Sequence, residues 1–334
     1  MILPRETPAA DRVAGLPAAA DLAIVGCGAA GLFAAIHAGR TAAGAGRRLS
    51  VVGLDGARKP GAKILVSGGG RCNVTNVRVT QRDYAGSTPP AIRRVLARFL
   101  PEDTVGFFRA AGVEMYEEPD NGKLFPVTDS SRTILDALLR EASLAGVRLV
   151  HPALVTAIGG AAAGLRVVTT AGTLEARRVI LCTGGRSLPK SGSDGSGFEL
   201  ARALGHSIAE PVVPALVPLV LPGGHWVRDL AGLALAATLT LESVEGRAVA
   251  SATGSTLCTH TGLSGPAALD ISRHWLVSRA RDPGARLVID WLPGHSAADL
   301  EAEFVAAGAR RSEEHTSELQ SRQYLVCRLL LEKK

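Results

Sequence analysis

The chain of 334 residues is 46% hydrophobic but only 4% aromatic, long enough for one large or two medium domains cored by small aliphatic side chains. Its net charge of +6 is carried mainly by arginine, without a dense basic run or interleaved aromatics, which favours an anionic small ligand such as a phosphate and sets nucleic acid aside as a partner. Five cysteines, at 27, 72, 182, 258 and 327, make no C-x-x-C pair, so no disulfide framework or metal site is expected, a reducing cytoplasm is implied, and no apolar run suggests a membrane span.

Residues 1–20, with Arg5, Glu6, Asp11 and Arg12 among Ala and Pro, do not read as a signal peptide and are expected to form a disordered leader. The organising stretch follows at 22–31, LAIVGCGAAG, where four apolar residues run into a G-x-G-x-x-G. A buried strand, a turn and a helix opening with Ala29, Ala30 and Gly31 would place free main-chain N–H groups around a pyrophosphate. Gly26 would permit the turn, Gly28 the approach of phosphate oxygens, and Gly31 the packing of helix on strand. A second apolar strand, LSVVGLD at 49–55, ends in Asp55, 24 residues after Gly31. A carboxylate there can accept ribose hydroxyls; the alternative is that Asp55 only starts an Asp-Gly turn.

The segment 63–76, KILVSGGGRCNVTN, joins Lys63 to a glycine triplet followed by Arg71, Cys72, Asn73, Thr75 and Asn76. Such a backbone can bend closely around a ligand, with donors beside it. Lys63, Gly69, Gly70, Arg71, Cys72 and Asn73 are therefore candidate cofactor contacts, with packing the alternative for Cys72.

With those features in register, the string SGGGRCNVTN closely resembles the signature of the YhiN/BaiN-like flavoproteins, the aminoacetone oxidase family of FAD-binding enzymes. GKLFPVTDSS (122–131), CTGGRSLPKSGSDGSGFELARALGH (182–206), PALVPL (214–219) and THTGLSGPAAL (259–269) also resemble family blocks, in family order. The resemblance covers residues 21 to about 304. It implies an α/β fold, a Rossmann-like FAD-binding domain of the two-dinucleotide-binding-domain type, with Val155 near the adenine and Thr183, Gly184 and Gly185 passing close to the cofactor. Packing is an equal reading for Val155. It further implies an FAD-dependent oxidoreductase in which hydride moves between flavin N5 and a small amine, ketone or enone. NAD(P)H could reduce the flavin, although no second G-x-G-x-x-G follows a strand. The alternatives are an NAD-binding dehydrogenase and a non-catalytic nucleotide-binding fragment.

The remaining elements are expected in order: a helix at 91–111, a second at 133–145, then short strands at 155–158, 165–170 and 173–181. Together with the opening units they make residues 21–210 an FAD-binding domain. Prolines at 211, 214, 218 and 222 introduce a β-rich substrate or cap domain over 211–290, with strands at 230–242, 247–251, 255–258 and 285–291. Within it, Ser264 is expected to cap a helix running to about 280. His260, in the turn THTG, is the candidate for proton transfer, with a structural hydrogen-bonding role as the alternative. Residues 291–310 are expected to begin a helical subdomain in which Ser296 caps a helix. The tail 311–334 departs from the family, and RSEEHTSELQS at 311–321 resembles a translated sequencing adapter. The expectation is a truncated chain that lacks the family's returning glycine-rich segment, with weakened hold on FAD.

Overall fold

The computed structural model describes residues 15–86, 88–119, 121–162, 164–306 and 326–329. The chain divides into two compact units that meet at Ile208 and Ala209.

The first unit is built on strands β1 (Ala19–Val25), β2 (Val51–Leu54), β6 (Arg148–Val150) and β9 (Gly172–Leu181), all parallel, in the order β6-β2-β1-β9. Beyond β9 the sheet continues antiparallel through β8 (Gly164–Thr169) and β7 (Val155–Ala161). β1 is buried on both faces, as a central parallel strand must be: Leu22 and Ile24 join one core cluster, Ala20, Ala23 and Val25 another. On the first face lie α1 (Ala29–Gly44) and α5 (Ser131–Leu144). The buried positions of α1 are Gly31, Leu32, Ala35, Ile36 and Gly39, one stripe at helical spacing. Leu32 and Ile36 are fully buried, each contributing roughly 1.5–3 kcal/mol relative to exposure. Gly39 lets α1 close on the end of α5, since a Cβ there would overlap the Ala145 carbonyl.

A three-stranded antiparallel sheet, β3 (Thr75–Asn76), β5 (Lys123–Pro126) and β4 (Met115–Glu117), completes the unit with α2 (Ala62–Val66), α3 (Pro89–Leu96), α4 (Pro101–Ala110) and α6 (Ser196–Ala203). The helix expected over 91–111 is two helices. Pro101 has no N–H to continue the ladder, and Leu100 before it is extended at φ −90°, ψ 165°.

The second unit is an antiparallel sheet in the order β10 (Leu219–Val220), β13 (Gly262–Ser264), β12 (Ala248–Thr259), β11 (Ala234–Glu242), β14 (Arg286–Asp290) and β15 (Val326–Leu329). Ala237, Leu239 and Leu241 alternate inward from β11 and form a core with Ala268, Ile271 and Trp275 of α7 (Pro266–Arg281). The strands expected at 247–251 and 255–258 are one continuous strand. Gly254, between the two expected strands, pairs in register with Ala237. The helix expected to be capped by Ser264 is instead N-capped by Gly265, without a side-chain cap. Ser296 does cap α8 (Ala297–Ala306), exchanging hydrogen bonds with Asp299 at 2.7 and 3.2 Å. β1 starts within the stretch expected as leader, and β15 within the tail expected to be foreign. Residues 1–14 of the leader and 307–325, including the adapter-like string, lie outside the described residues.

Candidate functional site

Parallel strands present their carboxyl ends together, and a crevice forms where the chain leaves a strand in opposite directions. β1 is that strand: β2 lies on one side, β9 on the other. A cleft of about 1330 Å³ opens there, lined by residues at or just beyond the ends of all four parallel strands, including Gly26, Asp55, Ala153 and Cys182. This exceeds the roughly 300–1,000 Å³ typical of a small-ligand pocket and suits an extended ligand.

The glycines divide the work at the turn. Gly26 has φ +92°, and a Cβ there would lie 2.6 Å from the Cys182 carbonyl oxygen. At Gly31 a Cβ would overlap the Gly26 carbonyl, so only glycine brings α1 this close to β1. Gly28 differs from both. Its φ of −74° is open to any residue, and a Cβ would meet no atom within 4 Å. Among the described residues no contact demands glycine there; the space it keeps open lies on the cleft wall. As N-cap of α1, Gly28 offers no side chain to the first-turn N–H groups, and Ala29 and Ala30 also line the cleft. An uncapped helix start with bare donors beside open space fits a pyrophosphate.

Asp55 holds this turn from the side. One carboxylate oxygen accepts from Cys27 N–H at 2.8 Å, the other from Ala57 N–H at 2.8 Å. The carboxylate thus sets the turn's shape and keeps lone pairs for a ribose. Burial, then the Asp55 charge, pushes the Cys27 thiol well above the ordinary cysteine range, so it stays protonated and inert.

Lys63 crosses to the opposite wall. Its ammonium donates to Ser187 O at 2.7 Å, Ser187 Oγ at 3.3 Å and Ser193 Oγ at 2.7 Å. Gly184, at φ +76°, makes room for Ser193, whose Oγ lies 2.6 Å from where a Cβ would stand. Ser193 and Asp194 are cleft residues that the sequence reading passed over, although the spacing of Gly192, Gly195 and Gly197 marks a tightly turned strap. Phe33, Phe99 and Phe108 were also missed as cleft residues; as hydrophobic positions they carry no signal beyond core packing.

Of the candidates, Gly26, Gly28, Ala30, Asp55, Lys63, Cys72, Asn73, Val155, Thr183 and Gly184 line the cleft. Gly31 packs behind it, and Gly69, Gly70, Arg71 and Gly185 are not among its lining residues. Arg71 turns to the small sheet, donating to Tyr116 Oη at 3.2 Å and Glu118 Oε1 at 2.8 Å, with its guanidinium 4.1 Å above the Phe125 ring. The Asn121 amide and then Arg71 hold the Glu118 carboxyl below the usual range. Cys72 adopts φ +66° and is nearly buried, its thiol raised by that burial. His260 belongs to the second unit, exposed in the turn between β12 and β13, where its carbonyl accepts from Arg228 Nε at 2.6 Å.

Strand order, glycine turn and cleft together define a Rossmann-type dinucleotide-binding protein. Residues 20–323 match the HI0933-like protein Rossmann domain, and the chain belongs to that Rossmann FAD-binding family. It is 34% identical to the ribosomal RNA dihydrouridine synthase of Escherichia coli K12 over 82% of this chain and 64% of that protein. Against the 3-dehydro-bile acid delta(4,6)-reductase of Clostridium scindens it is 34% identical, over 85% of this chain and 67% of the relative. The chain thus spans about two thirds of the length of these relatives. Among solved structures, glycine oxidase from Geobacillus kaustophilus aligns at TM-score 0.33 and 15% identity, covering 68% of this chain and 64% of that one. Among the described residues no helix is long and apolar enough to cross a membrane.

Proposed function

We propose that this protein binds FAD in the cleft and serves as an oxidoreductase that reduces a carbon–carbon double bond conjugated to a carbonyl. The observation that carries the reading is the vacant side of Gly28, where the chain keeps open, against the uncapped start of α1, the space a diphosphate needs. When bound, FAD supplies reversible two-electron chemistry at N5 of its ring.

The chain's own residues bind and orient. The first-turn amides of α1 receive the diphosphate, and Asp55 fixes the turn and accepts from the ribose. Val155 and Leu154 flank the adenine end of the cleft. Ile64, Cys72, Asn73 and Val74 offer the other end a mainly apolar wall, which excludes water from the reacting face.

The substrate class follows from what two relatives' names share. A uracil ring becoming dihydrouridine and a 3-oxo-4,6-diene steroid each carry a C=C conjugated to C=O, so the enone is favoured over an amine. A small molecule is favoured over RNA: the only lysines or arginines lining the cleft among the described residues are Lys63 and Lys190, and Lys63 is already tied to Ser187 and Ser193. Four free cysteines among the described residues suit a cytoplasmic setting, where NAD(P)H is the natural reductant.

The test is anaerobic. The protein is loaded with FAD, reduced with NADPH, and mixed with a 3-oxo-4,6-diene steroid or with a uridine-containing RNA. The expected result is return of the oxidised flavin absorbance in step with loss of the dienone's ultraviolet band. A protein that stays colourless with added FAD refutes the cofactor; reoxidation by RNA and not by the steroid refutes the small-molecule substrate.

A further inference from the structure

We propose that a pocket of about 290 Å³ between α3, α4 and the segment 75–84 is a substrate subsite that takes the anionic end of an amphiphilic enone, with Arg93 as its counter-charge. The inference deepens the function proposed above and rests on it.

Three observations place the subsite. First, Phe99 and Thr104 line both this pocket and the dinucleotide cleft, so a molecule seated here lies against the same partition as whatever fills the cleft. Phe99 is fixed in that partition by edge-to-face contact with Phe33 of α1, at 5.2 Å between ring centroids. Second, the lining is amphipathic. Leu96, Phe99 and Leu100 form an apolar wall, while Gln81, Tyr84 and Arg93 bring polar groups. Third, the apolar wall is not consumed by the fold. α3 buries none of its side chains, and Leu100 is 42% and Tyr84 52% exposed. A short helix with no buried residue gains little from its own packing, so its apolar face is available to a ligand.

Arg93 supplies the chemistry. Among the described residues its side chain has no hydrogen-bond or ion-pair partner, and it is the one lysine or arginine among the residues that line this pocket. An unpaired guanidinium lining an amphipathic pocket matches a carboxylate attached to a hydrophobic ring system, which it can hold through two parallel N–H donors. The pocket is at the lower limit for a small-molecule site, so it accommodates one end of such a substrate, and the conjugated end would pass over Phe99 and Thr104 into the cleft.

The test is calorimetric titration of the full chain with 3-oxo-4-cholenic acid and with its methyl ester, alongside measurement of FAD content. The acid is expected to bind roughly fivefold more tightly than the ester, the scale of a partly exposed charge pair. R93Q should abolish that preference with FAD content unchanged, and L96W, which fills the pocket, should weaken both ligands. Equal binding of acid and ester by the unaltered protein overturns the subsite, as does an acid preference that survives R93Q. Preference for uridine 5′-monophosphate over uridine, lost in R93Q while the cholenic acid does not bind, also overturns it in favour of a nucleotide. Calorimetry reads the preference with or without FAD. A colourless protein that still shows the Arg93-dependent preference refutes the flavin reading alone, and a yellow one without it refutes the subsite alone.

Discussion

Replacing Gly28 with alanine separates a ligand cradle from a merely tight turn. With φ at −74° and no atom within 4 Å of the added Cβ, the folded apoprotein meets no strain. The loss of a glycine's freedom in the unfolded chain adds about 0.4–1 kcal/mol of stability and the poorer N-cap of α1 removes a similar amount, so the apoprotein should stay within about 1 kcal/mol of the parent. The same methyl projects into the space a diphosphate would occupy, and forcing it into a filled site costs about 1–3 kcal/mol, a rise of roughly 5- to 150-fold in the FAD dissociation constant. Gly26→Ala is the control. At φ +92°, with the Cys182 carbonyl oxygen 2.6 Å from the new Cβ, it should lose about 1–3 kcal/mol of stability even without ligand. Urea unfolding of the apoproteins and titration with FAD, followed by flavin fluorescence, measure both quantities. If Gly28→Ala binds FAD as tightly as the parent, or is destabilised as much as Gly26→Ala, the cradle is misassigned.

Other substitutions probe the walls. Asp55→Ala strips the acceptor from two main-chain N–H groups and should cost about 1–3 kcal/mol in urea unfolding, together with FAD affinity; unchanged stability would show that the two hydrogen bonds do not hold the turn. Lys63→Met releases Ser187 and Ser193, and is expected to make the strap at 184–195 the first site of limited proteolysis while weakening FAD about tenfold; an unaltered cleavage pattern opposes this. His37 sits among Phe33, Phe99 and Phe107, with Nε2 buried and without a hydrogen-bond partner among the described residues, and burial followed by the Arg40 charge lowers its pKa from 6.5. The unfolded chain therefore binds the proton more readily, so His37's contribution is full above about pH 6.5 and declines as pH falls from there through the lowered folded value. His37→Phe should remove this part of the stability loss between about pH 7.5 and 5, and an identical pH profile in both proteins would exclude His37 as its source.

Much of the site was legible because it is local. A strand running into G-x-G-x-x-G fixes turn, helix start and donor array within ten residues, and Asp55 follows at the end of the next apolar run. The meander from β7 to β9 was equally plain, its short strands separated by small turn residues. The break at Pro101 was misread because helical apolar spacing carries on through it, while the missing N–H and the extended residue before it override that periodicity. The opposite error split β12 at residues 252–254, where the neighbouring strand β11 supplies the pairing that small residues alone do not signal.

By itself the sequence determined the glycine turn between the first strand and helix and the family, since both depend on residues adjacent along the chain. Tertiary structure alone decided that Lys63 ties down a strap more than 120 residues away and that Arg71 turns from the cleft to Tyr116 and Glu118. It also placed Phe99 and Thr104 between two pockets. The physical reason is that a long cationic side chain goes to whichever acceptors the packed core brings within reach, and that choice is made only after distant segments have met.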